Sequence, residues 1–422
     1  MIYQRGLRLM DDTASSLLKK SARSPQQAPA PAPGPTLRAS GEISPSKEEL
    51  RVVIFSPLFP EYAARLAASL ANHGSVRLIT DRTGYEKECG LHLGSPEPSK
   101  LQTRLYQLFL RRSGMFAYIR DLLRALIDMW AFKPHIVHFQ ECPNFAHYIM
   151  VLLMKGSARI VVTVHDPLPH SGSDSKVDRP RIRSRIRAAA NLLLGHGHHC
   201  CTELARLTRA NGTEVRETTH GVLLCPPAAL QREPIPGRVL LFGRMEQYKG
   251  LAVLLDAVEL LGRRGLPLSL HLAGRGSELD RLAGRCRGAT NITVRDSFLT
   301  SLEAVQEFQE ACIVALPYLD ASQSGVASAA FANGRPVVAS RVGGLTDVVI
   351  DGVNGLLCEP GQPESLADAL GMALSSPRLV RRLRQGAMNT AATSMDWGTI
   401  ASRTAQYYGE LLKRPRVSLP KA

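Results

Sequence analysis

Three segments of the chain carry residue types that can do chemistry on a phosphorylated substrate. Gly243-Arg244-Met-Glu-Gln-Tyr-Lys249-Gly250 sets two cations five residues apart, between an apolar β-type run and a stretch of helical period. A turn of that kind directs backbone amides outward at a helix start, and two cations added to it make a receptor for a diphosphate. Taken alone, the same residues also fit a solvated Arg and Lys at an ordinary helix start. Gly274-Arg275-Gly276 follows the next apolar run and forms a tight strand-to-helix turn, where glycine serves backbone geometry with or without a ligand. The third segment is the longest: Pro317-Tyr318, Ala321-Ser-Gln323-Ser324-Gly325, Ser328, Ala329 to Gly334, Arg335 to Ser340, Val342-Gly343-Gly344 and Asp351 to Gly355. Its glycines recur at strand ends and let backbone approach a ligand or another chain segment closely.

Loops of this sort need strands behind them. Arg51–Phe55, Val76–Ile79, His135–Phe139 and Ile160–Val164 are short apolar runs, rich in β-branched residues and separated by helix-like segments such as Tyr62–Asn72. After Pro226-Pro227 and Pro234-Ile-Pro236-Gly237 the alternation restarts. It runs through strand 238–242, helix 250–264, strand 268–273, helix 278–285 and strand 292–294, then 313–316, 337–339 and 355–357. Leu251, Leu254, Leu255, Val258 and Leu261 give the helix 250–264 an apolar stripe. Two βα-repeating halves joined by a Pro-rich hinge predict an α/β protein of two doubly wound domains facing across a cleft, with ligands beyond the carboxyl ends of the strands.

Composition sets outer bounds. A chain of 422 residues, 44% hydrophobic and 21% charged, is long enough for two domains of about 170 residues each plus a tail. No apolar run approaches the ~20 residues of a membrane span, and the N-terminus lacks the apolar core of a signal peptide. Residues 1–48, with Pro, Ala, Ser and Gln dominant from Ser24 to Pro45, read as a disordered tail with a short basic helix over 5–20. The eight cysteines show no disulfide or zinc-ribbon spacing, which points to a reducing compartment. His196-Gly-His198-His199-Cys200-Cys201 has metal-binding residue types, but on a strand successive side chains face opposite ways and few can converge, so no metal is expected there.

Together the three segments resemble glycosyltransferase family 4, of the two-domain GT-B fold. The resemblance spans residues 50–410. It rests on the order of Gly-Arg…Lys-Gly, Pro-Val-Val-Ala-Ser, Val-Gly-Gly and Asp-Gly-Val-Asn-Gly-Leu-Leu, on Thr163-Val-His165-Asp166-Pro167-Leu-Pro-His170, and on His220-Gly221-Val222. It implies an acceptor-side Rossmann-like domain over 49–226, a nucleotide-sugar domain over 227–395, and a terminal helix over 396–415 that crosses back to the first. It further implies transfer of a sugar from a nucleotide-diphosphate donor with retention and no cofactor. Arg244 and Lys249 match the pair that neutralises the leaving diphosphate, and His165 matches a histidine near sugar and acceptor. Gly243, Gly274, Gly276, Gln323, Ser324, Gly325, Ser328, Gly343 and Gly344 would complete the donor site, with Asp166 and His170 on the acceptor side. The family's two glutamates fall at Ala321 and Ala329, where a methyl group cannot bond sugar or ribose, and Ser56-Pro57-Leu58-Phe59-Pro60 lacks the family's glycine pair. The first departure motivates an alternative, a catalytically impaired sugar-nucleotide-binding or scaffold protein; Gln323, Ser324 and Ser328 are the substitutes available for the missing contacts.

Charge suggests further partners. Lys and Arg number 52 against 37 Asp and Glu, a net +15, and residues 101–190 alone hold 14 basic against 6 acidic side chains. Residues 104–130 interleave Leu105, Leu108, Phe109, Phe116, Ile119, Leu122, Leu123, Leu126 and Trp130 with Arg104, Arg111, Arg112, Arg120 and Arg124. That pattern fits a basic amphipathic face on an anionic membrane, where a lipid-linked acceptor would lie, or an ordinary core helix with solvated arginines. The arginines of 179–187 form a second cluster, suited to a lipid phosphate or an acidic acceptor, or to a solvated helix start. Nucleic acid is not expected, since no recognition helix or aromatic-basic motif accompanies the charge. These readings place the protein in the cytoplasm, at the inner face of the membrane, acting on a saccharide or lipid-linked acceptor.

Overall fold

The computed structural model describes residues 49–89, 98–110, 114–169, 179–227, 231–266 and 268–415. The tail 1–48, Arg111, Arg112 and His170 lie outside the described residues.

Two parallel sheets organise the chain. The first has the order β3-β2-β1-β4-β5-β6-β7, with β1 Arg51–Ser56, β2 Ser75–Asp81, β3 Leu101–Tyr106, β4 Ile136–Gln140, β5 Arg159–Val164, β6 Leu192–His196 and β7 Val215–Thr218. The second has the order β10-β9-β8-β11-β12-β13, with β8 Arg238–Phe242, β9 Ser269–Ala273, β10 Ile292–Arg295, β11 Ile313–Leu316, β12 Val337–Ser340 and β13 Gly355–Cys358. The central strands β4, β5, β11 and β12 are buried along their whole length, because helices cover both faces of each sheet. In each sheet the strand order reverses at one place, between β1 and β4 in the first lobe and between β8 and β11 in the second. A parallel sheet opens a crevice at such a reversal. The loop 243–250 leaves β8 and the loop 317–325 leaves β11, so the two segments with the most chemistry flank one crevice.

Local differences from the sequence reading have local causes. Helix 278–285 is two short helices, Ser277–Arg281 and Ala283–Arg287, broken at Leu282 just before Gly284, a poor helix former. The segment 196–201 does not continue a strand: β6 ends at His196, Gly197 turns at φ 79°, and the helix Gly197–Thr208 follows.

The helix Trp397–Lys413 comes after the second sheet and packs on the first lobe. Trp397, Ile400, Ala401, Tyr408 and Leu411 join one core with Val52, Ile54, Leu66 and Leu70 of β1 and the helix Pro60–Leu70. The Tyr408 hydroxyl meets His138 Nδ1 of β4 at 2.5 Å, and Trp397 Nε1 donates to the Val222 carbonyl at 2.8 Å. Gly221 is required there, since a Cβ on it would fall 2.4 Å from the Trp397 ring.

Candidate active site

The turn after β8 is built by glycine and by its neighbour loop. Gly250 has φ 71°, and a Cβ on it would fall 1.8 Å from the Pro317 carbonyl oxygen, so only glycine lets the two loops touch. The Leu319 amide donates to the Tyr248 carbonyl at 2.7 Å and completes the join. Lys249, on the short turn Gln247–Lys249, is thereby carried inward and is 8% exposed. Its Nζ donates to the Tyr318 hydroxyl at 2.5 Å and lies 4.0 Å from the centre of the Tyr318 ring. Burial and the nearby Arg244 push the Lys249 ammonium down to about 7, and Asp166 opposes them. Arg244 itself is exposed, bonded to the Tyr248 side chain, and has no ion pair among the described residues.

Asp166 reaches this group from the other lobe, close enough to act electrostatically on Lys249, Tyr248 and His165. Its loop is held from behind by two arginines of the helix Pro180–Ala189. Arg183 Nη1 donates to the Asp166 carbonyl at 2.6 Å, and Arg187 Nη1 to the Pro167 carbonyl at 3.0 Å. Glu141 receives Arg187 in a two-pronged pair at 2.7 and 2.9 Å, almost wholly buried. Part of the 179–187 cluster therefore faces inward and clamps the loop after β5.

His165 is placed at the end of β5 but inside a polar stack. Its Nε2 bonds Gln140 Oε1 at 2.9 Å, its Nδ1 faces His196 Nε2 at 3.2 Å, and the Phe59 ring lies over it at 4.0 Å. The Gln140 carbonyl assigns the proton to Nε2, so Nδ1 accepts from His196. Burial pushes His165 down to about 3 and His220 to about 4, which keeps both imidazoles neutral. Phe59 sits at φ 58°, a left-handed conformation that a bulky residue rarely adopts, in the loop that lacks the glycine pair.

Comparison with known proteins meets this geometry at the level of whole lobes. A model described as "Glycosyl transferase 4-like domain" matches residues 60–219, and one described as "Glycosyl transferases group 1" matches residues 236–376. The chain belongs to the family 4-like, group 1 glycosyltransferases. It is 26% identical over 305 residues to a glycogen synthase of Mycobacterium tuberculosis, covering 68% of this chain and 73% of that protein. It is 30% identical over 255 residues to a D-inositol 3-phosphate glycosyltransferase of Xylanimonas cellulosilytica, covering 54% and 59%. Among solved structures, Alr3699/HepE of Anabaena in complex with UDP superposes with a TM-score of 0.60 at 16% identity, over 86% of this chain and all of that one, a likeness of fold.

In this glycosyltransferase the remaining candidate residues fall into two groups. Gly243, Gly274 and Gly276 pack the β8 and β9 loops on each other: a Cβ on Gly274 would fall 1.8 Å from the Gly243 oxygen, and one on Gly276 2.3 Å from the Met245 oxygen. Gly343 and Gly344 do the same against Ala321 and Ser322, and the Gly344 amide donates to the Ala321 carbonyl at 2.9 Å. Ser328 is fully buried and donates to the Gly221 carbonyl at 2.6 Å. Ala321 and Ala329 are buried in the same apolar cluster as the Tyr318 ring.

The second group lines a cavity. Ser324 caps the helix Gly325–Ala332 and bonds the Tyr318 hydroxyl. Gln323 and Ser324 together line a cavity of about 60 Å³ with His196, Glu217, His220 and Asp347, and Gln323 Oε1 is buried without a hydrogen bond. Asp347 of the second lobe accepts from the His199 amide at 2.9 Å, so the helix following His196 is held across the lobes. Among the described residues no group of three His, Cys, Asp or Glu is placed to hold a metal ion. In the sequence Tyr318 and Phe59 stood out only as members of their loops, and Arg187 only as one of the 179–187 arginines suited to a lipid phosphate, an acidic acceptor or a solvated helix start.

Proposed function

We propose that this glycosyltransferase moves a sugar from a nucleotide-diphosphate donor to a saccharide or lipid-linked acceptor, with retention at the anomeric carbon. The observation that carries the reading is the pairing of Lys249 and Arg244 beside the strand-order reversal of the second sheet, with Asp166 reaching them from the first lobe. As the bond between the anomeric carbon and the diphosphate breaks, its electron pair leaves with the nucleotide, and negative charge gathers on the phosphate oxygens. Fixed cations aimed at those oxygens lower that barrier, typically speeding the step by about 10²–10³-fold per group. The amides of Gly325 and Val326, at the first turn of the helix Gly325–Ala332, have no acceptor among the described residues and add donors of the same sense. Asp166 and the neighbouring His170 are assigned to the acceptor side. UDP in the Anabaena structure supports a nucleoside diphosphate as the leaving group in a protein of this fold.

The membrane belongs to the same reading. Along the helix Met115–Ala131, Phe116, Ile119, Leu123, Ile127 and Trp130 are all exposed, Phe116 at 82%, and they lie at helical spacing on one face. Arg120 and Arg124 flank them with largely exposed side chains. A lipid-linked acceptor at an anionic cytoplasmic membrane face suits this stripe. Among the described residues no helix is long and apolar enough to cross a membrane.

The test is a turnover screen of nucleotide-sugars against saccharide and lipid-linked acceptors, with the anomeric configuration of product read by NMR. Arg244→Ala and Lys249→Ala are each expected to lose about 10²–10³-fold in kcat/KM with the fold retained. Unchanged turnover in either variant removes that residue from the assignment. Tight nucleotide binding with no turnover on any acceptor would favour the impaired, scaffolding alternative that Ala321 and Ala329 raise.

A further inference from the structure

Lys249 differs from an ordinary phosphate-binding lysine in what surrounds it. The side chain is buried, yet among the described residues no carboxylate comes within ion-pairing distance of its Nζ. The charged and titratable groups that face it are Arg244 on its own turn, Tyr248 beside it, Tyr318 from the loop after β11, and Asp166 from the other lobe. Among the described residues Tyr318 alone gives it a hydrogen-bond acceptor, at 2.5 Å, and its ring gives it a π face at 4.0 Å. The phenol is itself fixed: the ring is 1% exposed, and its hydroxyl is bonded by Ser324, whose side chain caps the helix Gly325–Ala332. Lys249 is thus tied through Tyr318 to the Ser-Gln-Ser-Gly run that follows Ala321.

We propose that Tyr318 is a positioning residue for the transfer: its hydroxyl holds the Lys249 amine in the cleft without neutralising it, leaving the counter-charge to be supplied by the diphosphate. The proposal rests on the reading of Lys249 as a diphosphate partner. A carboxylate in that place would fix the lysine equally well but would compete with the substrate for its charge; a phenol orients it and does not compete. Nucleotide binding then carries a proton with it. Burial and Arg244 hold Lys249 down to about 7. An arriving diphosphate raises it, so above neutral pH the protein takes up a proton on binding and affinity falls as pH rises.

Calorimetric titration of the full chain with UDP and with ADP, at pH 6 and pH 8 in buffers of differing ionisation enthalpy, tests this. The wild type should take up little proton at pH 6 and a substantial fraction of one at pH 8. Tyr318→Phe keeps the ring and removes the acceptor, so it should weaken binding by about tenfold at pH 8 and less at pH 6. The pH at which affinity begins to fall should move down by about one unit. Lys249→Ala should abolish the proton uptake. If Lys249→Ala is crippled while Tyr318→Phe keeps wild-type affinity, proton uptake and pH profile, the role of Tyr318 is overturned and that of Lys249 stands. If Lys249→Ala itself binds and turns over normally, the underlying reading has failed instead. Circular dichroism of Tyr318→Phe separates both results from loss of fold; an unfolded Phe variant would overturn the positioning role in favour of a purely structural one.

Discussion

Buried imidazoles set the acid behaviour of the molecule one residue at a time. His147, in the helix Phe145–Lys155, is wedged between the rings of Phe55 and Phe139 with neither nitrogen hydrogen-bonded. Burial pushes it down to about 3, and His138 and His165 likewise. The unfolded chain protonates these groups near 6.5 and the folded one does not, so between those values the unfolded state binds more protons. Stability is therefore complete above about pH 6.5 and is lost progressively as pH falls toward 3. Because His147 has no polar partner to strand, His147→Leu should flatten that loss and hold or raise the melting temperature at pH 7, with turnover unchanged. Thermal melts from pH 4 to pH 8 check both. Of the candidate site residues, Arg244 and Lys249 could be singled out in the sequence because their turn is local. Tyr318 was not, since its partner is 69 positions away.

At the level of elements, the clamp on the loop after β5 centres on the buried ion pair of Glu141 with Arg187, which Arg183 joins at 3.5 Å. Removing one partner leaves a charge with no water and no counter-ion, at a cost of roughly 3–5 kcal/mol, whereas replacing both by apolar groups is often neutral. Glu141→Gln should therefore lower the melting temperature sharply. The double change Glu141→Leu with Arg187→Met should recover most of it but lower kcat/KM, because the Arg187 bond to the Pro167 carbonyl is then missing. Recovery of full turnover in the double variant would show that the clamp serves stability alone. The sequence showed an arginine run and allowed two outward-facing roles for it. That Arg183 and Arg187 turn inward depends on where Glu141, at the end of another strand, comes to lie.

For the whole molecule, the helix Trp397–Lys413 closes the circuit by returning to the first lobe, and the exposed stripe of the helix Met115–Ala131 is left on the outside. Such a stripe should bind vesicles that contain anionic phosphatidylglycerol, and bind neutral phosphatidylcholine vesicles far less. Arg120→Gln with Arg124→Gln should weaken that binding roughly thirtyfold, at about 1 kcal/mol for each basic residue near the surface. Leu123→Asp with Ile127→Asp should abolish it. Sedimentation with vesicles at two salt concentrations reads all three, and equal binding to neutral vesicles would remove the electrostatic part of the argument.

What the amino-acid sequence determined by itself was the repeating architecture. Alternating apolar runs and helical stripes specify strands and helices through neighbours only a few residues away, and Gly250 beside Lys249 specifies its turn in the same way. The tertiary structure alone decided which polar groups meet. It put His165 beneath Phe59, gave the Ser328 hydroxyl to Gly221, spent the paired glycines on loop-to-loop packing, and brought Tyr318 to Lys249. Those outcomes turn on distances of a few ångströms between segments far apart in the chain, and no local pattern encodes such a distance until two sheets have packed their own helices.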